Sequence, residues 1–378
     1  PQHHSRSRTT TLSGVAHPAR GVPRFPETPL PALQRHLGQW FWIGVCVSTI
    51  AIMLAPLIGW INAAVFLGFW VTVGAMLPGE TLRAVATGGP VLWAIPVMAF
   101  LSALWSGDPD FTLRSALQYA LTVAAAMMMA RQLRVGQFIS MLMCAMLVVS
   151  VLSLLVGRYD IDPMTGISTF VGVFGSKNML AFFSSIMMLA AVAVAVDPAQ
   201  SRALRLAALV ALLLSVPTII TTRSATAQIT AVLAVAAFFS VMFFFRLAPL
   251  KRAVLGVILL IFVGPVALLF VLGQGHAVME LFVSGVLGKS MTLTGRTTLW
   301  QYATGLMAEQ PWGGYGWGGF WRRETVEAEG LWREFHVTSR SGFHFHSTYF
   351  ETGVQLGYIG LGLIVTLYLT NLLNALRW

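Results

Sequence analysis

Four short motifs, far apart in the chain, carry side chains suited to phosphate and proton chemistry. They are Gly175-Ser176-Lys177-Asn178, Thr222-Arg223-Ser224, Thr294-Gly295-Arg296 and His346-Ser347-Thr348-Tyr349. A guanidinium presents a planar fork of donors, so Arg296 suits bidentate phosphate recognition better than an ammonium would. Arg223 stands among Thr221, Thr222, Ser224 and Thr226, whose hydroxyls can add hydrogen bonds. Arginine at or near a membrane is costly and tends to be functional. Lys177 opens an apolar run just after a glycine and a serine, where helix N-terminal amides attract anions. Histidine titrates near neutrality, so His346 can take a proton from a hydroxyl nucleophile. Cations and a histidine gathered at one membrane surface point to an anionic, lipid-linked substrate.

Each of these residues also has a plainer reading. Lys177 fits a lysine snorkelling at a helix end. Arg223 fits an interfacial arginine meeting lipid phosphate, Arg296 a surface salt bridge, and His346 an interfacial histidine with its nitrogens in water. His344 and His346 form an H-x-H pair, but spacing supplies no third ligand, so zinc is weakly supported. Asp108-Pro109-Asp110 resembles a D-x-D metal motif; ahead of an apolar run it reads as a capping turn. No Walker A, G-x-G-x-x-G or G-x-S-x-G motif occurs.

The elements that must position these residues are membrane helices. Of 378 residues, 56% are hydrophobic and 10% charged, at a mean hydropathy of +0.74. A soluble domain carries about a quarter charged residues. Apolar runs long enough to span a bilayer recur near 41–60, 62–78, 90–106, 114–131, 136–157, 179–197, 203–221, 225–246, 252–273 and 348–373. The chain is therefore expected to be an all-α polytopic membrane protein with about ten spans. Its expected regions are a disordered basic tail at 1–38, a helical bundle at 39–273, a long outer loop at 274–347 and a last helix at 348–378. The tail holds five arginines and Pro18, Pro23, Pro26, Pro29 and Pro31, with no apolar period. The outer loop contains Trp300, Trp312, Trp317, Trp321 and Trp332. That content argues for partly helical structure lying over the membrane, including a helix near 296–309.

Charge sets the orientation. With the N-terminus inside, the inner loops hold Arg83, Arg131, Arg134, Arg202, Arg205, Arg246, Lys251 and Arg252. The short outer loops hold only Arg114, Arg158, Lys177 and Arg223, in keeping with the positive-inside rule. The same rule accounts for a formal net charge of +10, and no basic-aromatic module accompanies it, so nucleic acid is not expected as a partner. Cys46 and Cys144 fall in apolar spans and read as small packed hydrophobes. No internal repeat supports an inverted-repeat transporter.

The ordered set of motifs resembles the O-antigen ligase/polymerase superfamily of bacterial membrane glycosyltransferases, its exopolysaccharide polymerase branch most of all. The resemblance covers about 100–365. It begins at Trp105-Ser106-x-Asp108-Pro109 with Leu113-Arg114 and continues through Gly172-Val173-Phe174-Gly175-Ser176-Lys177-Asn178 and Arg223-Ser224. It then takes in Gly295-Arg296 with Leu299-Trp300, and Pro311-x-Gly313-Gly314-Tyr315-Gly316 with Phe320-Trp321. It closes at His346-x-x-Tyr349 and Leu356-Gly357-Tyr358-Ile359-Gly360. Ser347 departs from the asparagine that often follows the histidine, and one span follows the long loop where relatives often have more.

The resemblance implies a glycan donor on undecaprenyl pyrophosphate at the periplasmic face of the inner membrane. Arg223 and Arg296 would hold the pyrophosphate and stabilise its charge as it leaves, with Lys177 assisting. His346 would orient or deprotonate the acceptor hydroxyl. Asn178, Trp300 and Tyr349 would contact pyrophosphate or glycan, and the polyprenyl tail would lie in an apolar groove. The acceptor would be a glycan or a lipid A core, with a chain-length regulator as a possible partner. No metal or other cofactor is implied, because two guanidiniums can supply the charge compensation.

Overall fold

The computed structural model describes residues 39–161, 166–258, 261, 295–337, 340 and 343–376. The tail at 1–38, most of the 252–273 span and the 274–294 part of the long loop lie outside them.

The regular elements of the described chain are helices, apart from one small hairpin. In the N-terminal half run α1 (Gln39–Met53), α2 (Ala55–Ile58), α3 (Ile61–Met76), α4 (Pro78–Thr87) and α5 (Gly89–Leu101), the last extended by a 3-10 turn at Ser102–Leu104. Then come α6 (Pro109–Gln132), α7 (Val135–Val156), α8 (Lys177–Val196), α9 (Arg202–Thr221) and α10 (Ala225–Arg246). Residues 249–258 are also helical. The C-terminal region contributes α11 (Arg296–Glu309), α12 (Val326–Glu334) and α13 (Thr348–Leu376). Between α7 and α8 the strands β1 (Tyr159–Ile161) and β2 (Ser168–Phe170) pair antiparallel, Tyr159 opposite Phe170, a hairpin the apolar pattern does not announce.

Local chemistry sets several of these boundaries. The Asp108 carboxylate accepts from the Phe111 N–H at 3.0 Å, with Pro109 at the first helical position, so Asp108 is the capping residue of α6. Ser176 caps α8 and Ser201 caps α9, each accepting an N–H at 3.2 Å. Gly157 ends α7 in the left-handed conformation.

Among the described residues, five helices are long and apolar enough to cross a membrane: α7, α8, α9, α10 and α13. A sixth crossing is possible if α3 and α4, which meet at a 110° bend, count as one. The count of ten is thus reached only in part. The runs at 41–60 and 90–106 form shorter apolar helices, the first breaking at Leu54 just ahead of Pro56 and the second ending in the 3-10 turn at Ser102–Leu104. The 114–131 run belongs to a 24-residue helix that also carries Asp110, Arg114, Gln118 and Arg131 and does not reach the apolarity of the five.

Met143, Leu180, Met187, Ala191, Ala208 and Ala211 form the core between α7, α8 and α9, sealed at one end by Phe170, Val173 and Phe174. In α10 the buried residues are Ala227 and Ala231, while Leu233, Phe243 and Phe245 are exposed. An apolar surface this extensive does not suit water and fits lipid contact. A separate core of Leu299, Phe320, Leu331, Trp332 and Phe345 holds α11, α12 and the start of α13 together.

α13 is not one straight span. Gly357 breaks it at φ 64°, ψ −165°, a conformation essentially reserved for glycine. The freed groups find partners in the glycine-rich connection. The Tyr315 and Gly316 N–H groups donate to the Val354 and Gln355 carbonyls, both at 2.9 Å, and the Tyr358 N–H donates to the Pro311 carbonyl at 2.7 Å. This satisfies backbone that an apolar environment would otherwise penalise. A Cβ on Gly357 would lie 2.4 Å from the Trp312 carbonyl, and one on Gly314 would lie 2.4 Å from the Val354 oxygen. The two sequence motifs around these glycines are therefore two sides of one backbone junction. Gly357→Ala is expected to destabilise by about 2–4 kcal/mol, from strain and overpacking together. The check is a lowered thermal midpoint of the solubilised protein; an unchanged midpoint would show that the junction is dispensable.

The break also redirects the helix. Tyr349 and Tyr368 are nineteen residues apart, about 28 Å along a straight helix, yet their rings lie 6.0 Å apart. The arm before Gly357 thus folds back toward the arm after it. Residues 358–376 are by themselves about 28 Å long, enough for the last crossing. The expected span at 348–373 is accordingly split, and His346, which leads the first arm, is carried back toward the apolar second arm.

Candidate active site

Arg223 occupies the tight turn between α9 and α10. Thr222 and Ser224 on either side are buried, and Arg223 between them is exposed. The Thr222 hydroxyl donates to the Ile219 carbonyl at 2.8 Å, and the Ser224 hydroxyl donates to Asn178 Oδ1 at 2.9 Å. The second bond joins the N-termini of α8 and α10, bringing Lys177-Asn178 beside Arg223-Ser224. Arg223 itself has φ 52°, a left-handed conformation that costs a non-glycine residue roughly 1–2 kcal/mol. The hydroxyl clamps on both sides hold it there. The Arg158 guanidinium donates to the Phe174 carbonyl and so anchors the segment that leads to Lys177.

Arg296 is the first residue of α11, directly after Gly295. One turn later Trp300 donates its indole N–H to the Phe345 carbonyl at 2.8 Å and stacks on Phe350, with ring centres 5.4 Å apart. Trp300 thereby docks the helix of Arg296 onto the histidine loop. Its indole N–H is committed to the loop, so its position is that of a framework residue as well as an expected glycan contact. Phe345 is fully buried, and His346 follows it at φ 54° with an exposed surface. The His346 N–H donates to His344 Nδ1 at 3.0 Å, and the two rings lie 4.3 Å apart.

The imidazole of His346 is held well below the ordinary histidine range, to about 4. Desolvation in this crowded rim contributes most, although part of the residue remains exposed; His344 and then Arg296 add to it. At neutral pH the ring is therefore neutral, as a general base must be before it accepts a proton. A rate that needs neutral imidazole falls as pH drops through about 4. His344→Asn keeps an acceptor for the His346 N–H and removes the share of the opposition to protonation that His344 adds, leaving burial and Arg296 in place. The acid limb of the pH–rate profile should then move up from near 4 toward the ordinary 6.5. An unmoved limb would assign the depression to burial and Arg296, without His344.

The described contacts therefore gather the expected residues as two groups, Lys177-Asn178 with Arg223 through the Ser224–Asn178 bond, and Arg296 with His346 through the Trp300–Phe345 bond, and they do not show the groups touching. Tyr349 is half-exposed, its ring beside that of Tyr368. Among the described residues neither Arg223 nor Arg296 is paired with a carboxylate, so the salt-bridge reading of Arg296 finds no partner there. Arg322, by contrast, meets Asp108 at 2.6 Å and lies 4.0 Å over the Phe111 ring. Among the described residues no group of three His, Cys, Asp or Glu side chains forms a metal-ligating cluster.

Two positions were missed by sequence reasoning. Asp108 does more than cap α6, because its Arg322 contact fastens the loop before α6 to the glycine-rich connection. The Trp105 indole reinforces this by donating to the Gly313 carbonyl at 3.0 Å, and the Ser102 hydroxyl by accepting the Trp317 N–H at 2.9 Å. Glu351 lies beneath the histidine loop and accepts the Phe345 N–H at 2.9 Å. Its signal was available: it is the sole charged side chain in the apolar helix α13.

An ordered set of loop cations and a histidine on a multi-pass helical frame suits a membrane enzyme, and the comparisons place the chain among membrane glycosyltransferases. Residues 210–365 match the O-antigen ligase family, a span that contains Arg223, Arg296, Trp300, His346 and Tyr349 but not Lys177 or Asn178. The chain is 30% identical over 321 residues to the exopolysaccharide production protein ExoQ of Rhizobium meliloti (strain 1021), covering 84% of this chain and 72% of that relative. The chain belongs to the O-antigen ligase family of multi-pass membrane glycosyltransferases, whose members are ligases and polymerases.

Proposed function

We propose that this chain polymerises a bacterial surface polysaccharide or exopolysaccharide. It would draw on a glycan carried by undecaprenyl pyrophosphate, at the periplasmic face of the inner membrane and without a metal. The observation that carries this reading is Arg296, without a carboxylate partner among the described residues, at the start of a helix that Trp300 docks onto the loop of a neutral His346, which leads the α13 arm folded back toward the membrane-spanning segment. Arg296 opens α11, whose N-terminal dipole adds to its attraction for an anion. Arg223, supported by Lys177 and Asn178, holds the other part of the pyrophosphate. The acceptor hydroxyl oxygen attacks the anomeric carbon of the donor glycan, and its proton passes to His346. The bond from that carbon to pyrophosphate breaks, and the leaving undecaprenyl pyrophosphate keeps the electron pair, its charge stabilised by the guanidiniums.

The name of the relative from Rhizobium meliloti favours a polymer product. The family description favours a second reading, a ligase that moves the glycan to a lipid A core. A transporter or flippase is the more distant alternative, since cations gathered at one surface do not form a path across the bilayer. The positive-inside count supports a periplasmic site.

The test is purified protein in lipid nanodiscs with undecaprenyl-pyrophosphate glycan and EDTA, with and without isolated core lipid. A ladder of lengthening glycans without core lipid supports the polymerase. A single transfer that needs core lipid supports the ligase. No transfer in either tube with intact donor binding, even after Mg²⁺ or Mn²⁺ is restored, would overturn both.

A further inference from the structure

Glu351 is half-buried, and its two carboxylate oxygens serve three donors from three elements. Oε2 accepts the Phe345 N–H at 2.9 Å. Oε1 accepts the Trp321 indole N–H at 3.0 Å and the Gln355 amide at 2.7 Å. Gln355 then accepts the Gly318 N–H at 2.8 Å, so the network runs into the glycine-rich connection that supports the helix break. Among the described residues no cation pairs with Glu351, so an ion pair is not what the charge serves there. An ionised carboxylate is acceptor-only, which is what three converging donors need, and bonds of this kind are stronger than neutral ones.

Phe345 is the residue so fixed. Its N–H is bound by Glu351, its carbonyl by Trp300, and its ring is packed 4.8 Å from Trp321 and 5.4 Å from Phe320. With that residue immobilised, the chain can hold His346 in its left-handed conformation next in sequence. We propose that Glu351 is a positioning residue for transfer: its carboxylate locks the Phe345 backbone and thereby sets His346 against the acceptor hydroxyl. This rests on the reading of His346 as the base.

Glu351→Gln keeps the size but turns one end of the side chain into a donor, which must face either the Phe345 N–H or the Trp321 and Gln355 donors. The full chain in nanodiscs would be assayed with donor lipid extracted from cells that lack it. We expect kcat to fall by about 10–100-fold, the loss expected for a misplaced reacting group, with the donor KM within about threefold. In a His346→Ala background, Glu351→Gln should cause no further loss of residual transfer, because the two act as one unit. A wild-type kcat, or an undiminished loss in the His346→Ala background, would overturn the proposal. Should Glu351→Gln fail to fold, Trp321→Phe deletes one donor and keeps the ring; kcat should drop by about threefold at unchanged KM, and a wild-type kcat again overturns it. His346→Ala with full activity would instead bring down the functional reading itself, so the two failures are distinguishable.

Discussion

Arg296→Ala is expected to lower glycan transfer by about 10²–10³-fold, the loss typical when a donor to developing negative charge is removed. The leaving pyrophosphate gains charge as the glycosidic bond breaks. On the proposed reading, the guanidinium at the start of α11 would meet that charge with two parallel hydrogen bonds, with the helix N-terminus behind it. The fold should survive, because Arg296 is partly exposed and pairs with no carboxylate among the described residues. Immunoblotting of membranes against polymer yield separates the two effects. Arg296→Lys retains charge and loses the fork, so it should rescue poorly; full rescue would reduce the role to simple charge. Arg223→Ala should behave alike, because the Thr222 and Ser224 clamps are untouched. If both guanidiniums grip one pyrophosphate, the double substitution should cost much less than the product of the single losses. Normal polymer from either single variant would sink the pyrophosphate assignment.

His346→Ala should abolish transfer while leaving donor binding intact. A general base contributes typically about 10²–10⁴-fold, and the neutral state of His346 makes it competent down to about pH 4. The substitution also removes a side chain at φ 54°, but alanine is no worse there, and the Phe345 anchor is unaffected. Binding of radiolabelled donor to the variant, measured beside its turnover, is the decisive pair of readings. Loss of donor binding would move His346 to the pyrophosphate side of the site. Unchanged turnover would require another base.

Much of the site was legible because its chemistry is local. A guanidinium after glycine, a lysine opening a helix and a histidine leading an apolar run are statements about neighbours in the chain. The same is true of the Asp108 cap and of the helix at Arg296–Glu309, whose boundaries depend on hydrogen bonds three or four residues long. Span counting was weaker. Length and apolarity identify α7 through α10 well, yet the first run broke just ahead of Pro56, and the last run broke at Gly357.

By itself, then, the sequence determined that the chain is an apolar helical membrane protein, and it named the side chains proposed to bind pyrophosphate or move a proton. These follow from composition and from contacts within a turn or two. Only the tertiary structure decided that α13 folds back on itself, that the glycine-rich connection fills the break, and that Phe345 is clamped between Trp300 and Glu351. Each depends on a hydrogen bond between residues six to forty-five positions apart, or on a ring contact across a bend. The pattern along the chain records that Glu351 is a lone charge in an apolar helix. Which donors satisfy that charge depends on where other helices come to rest.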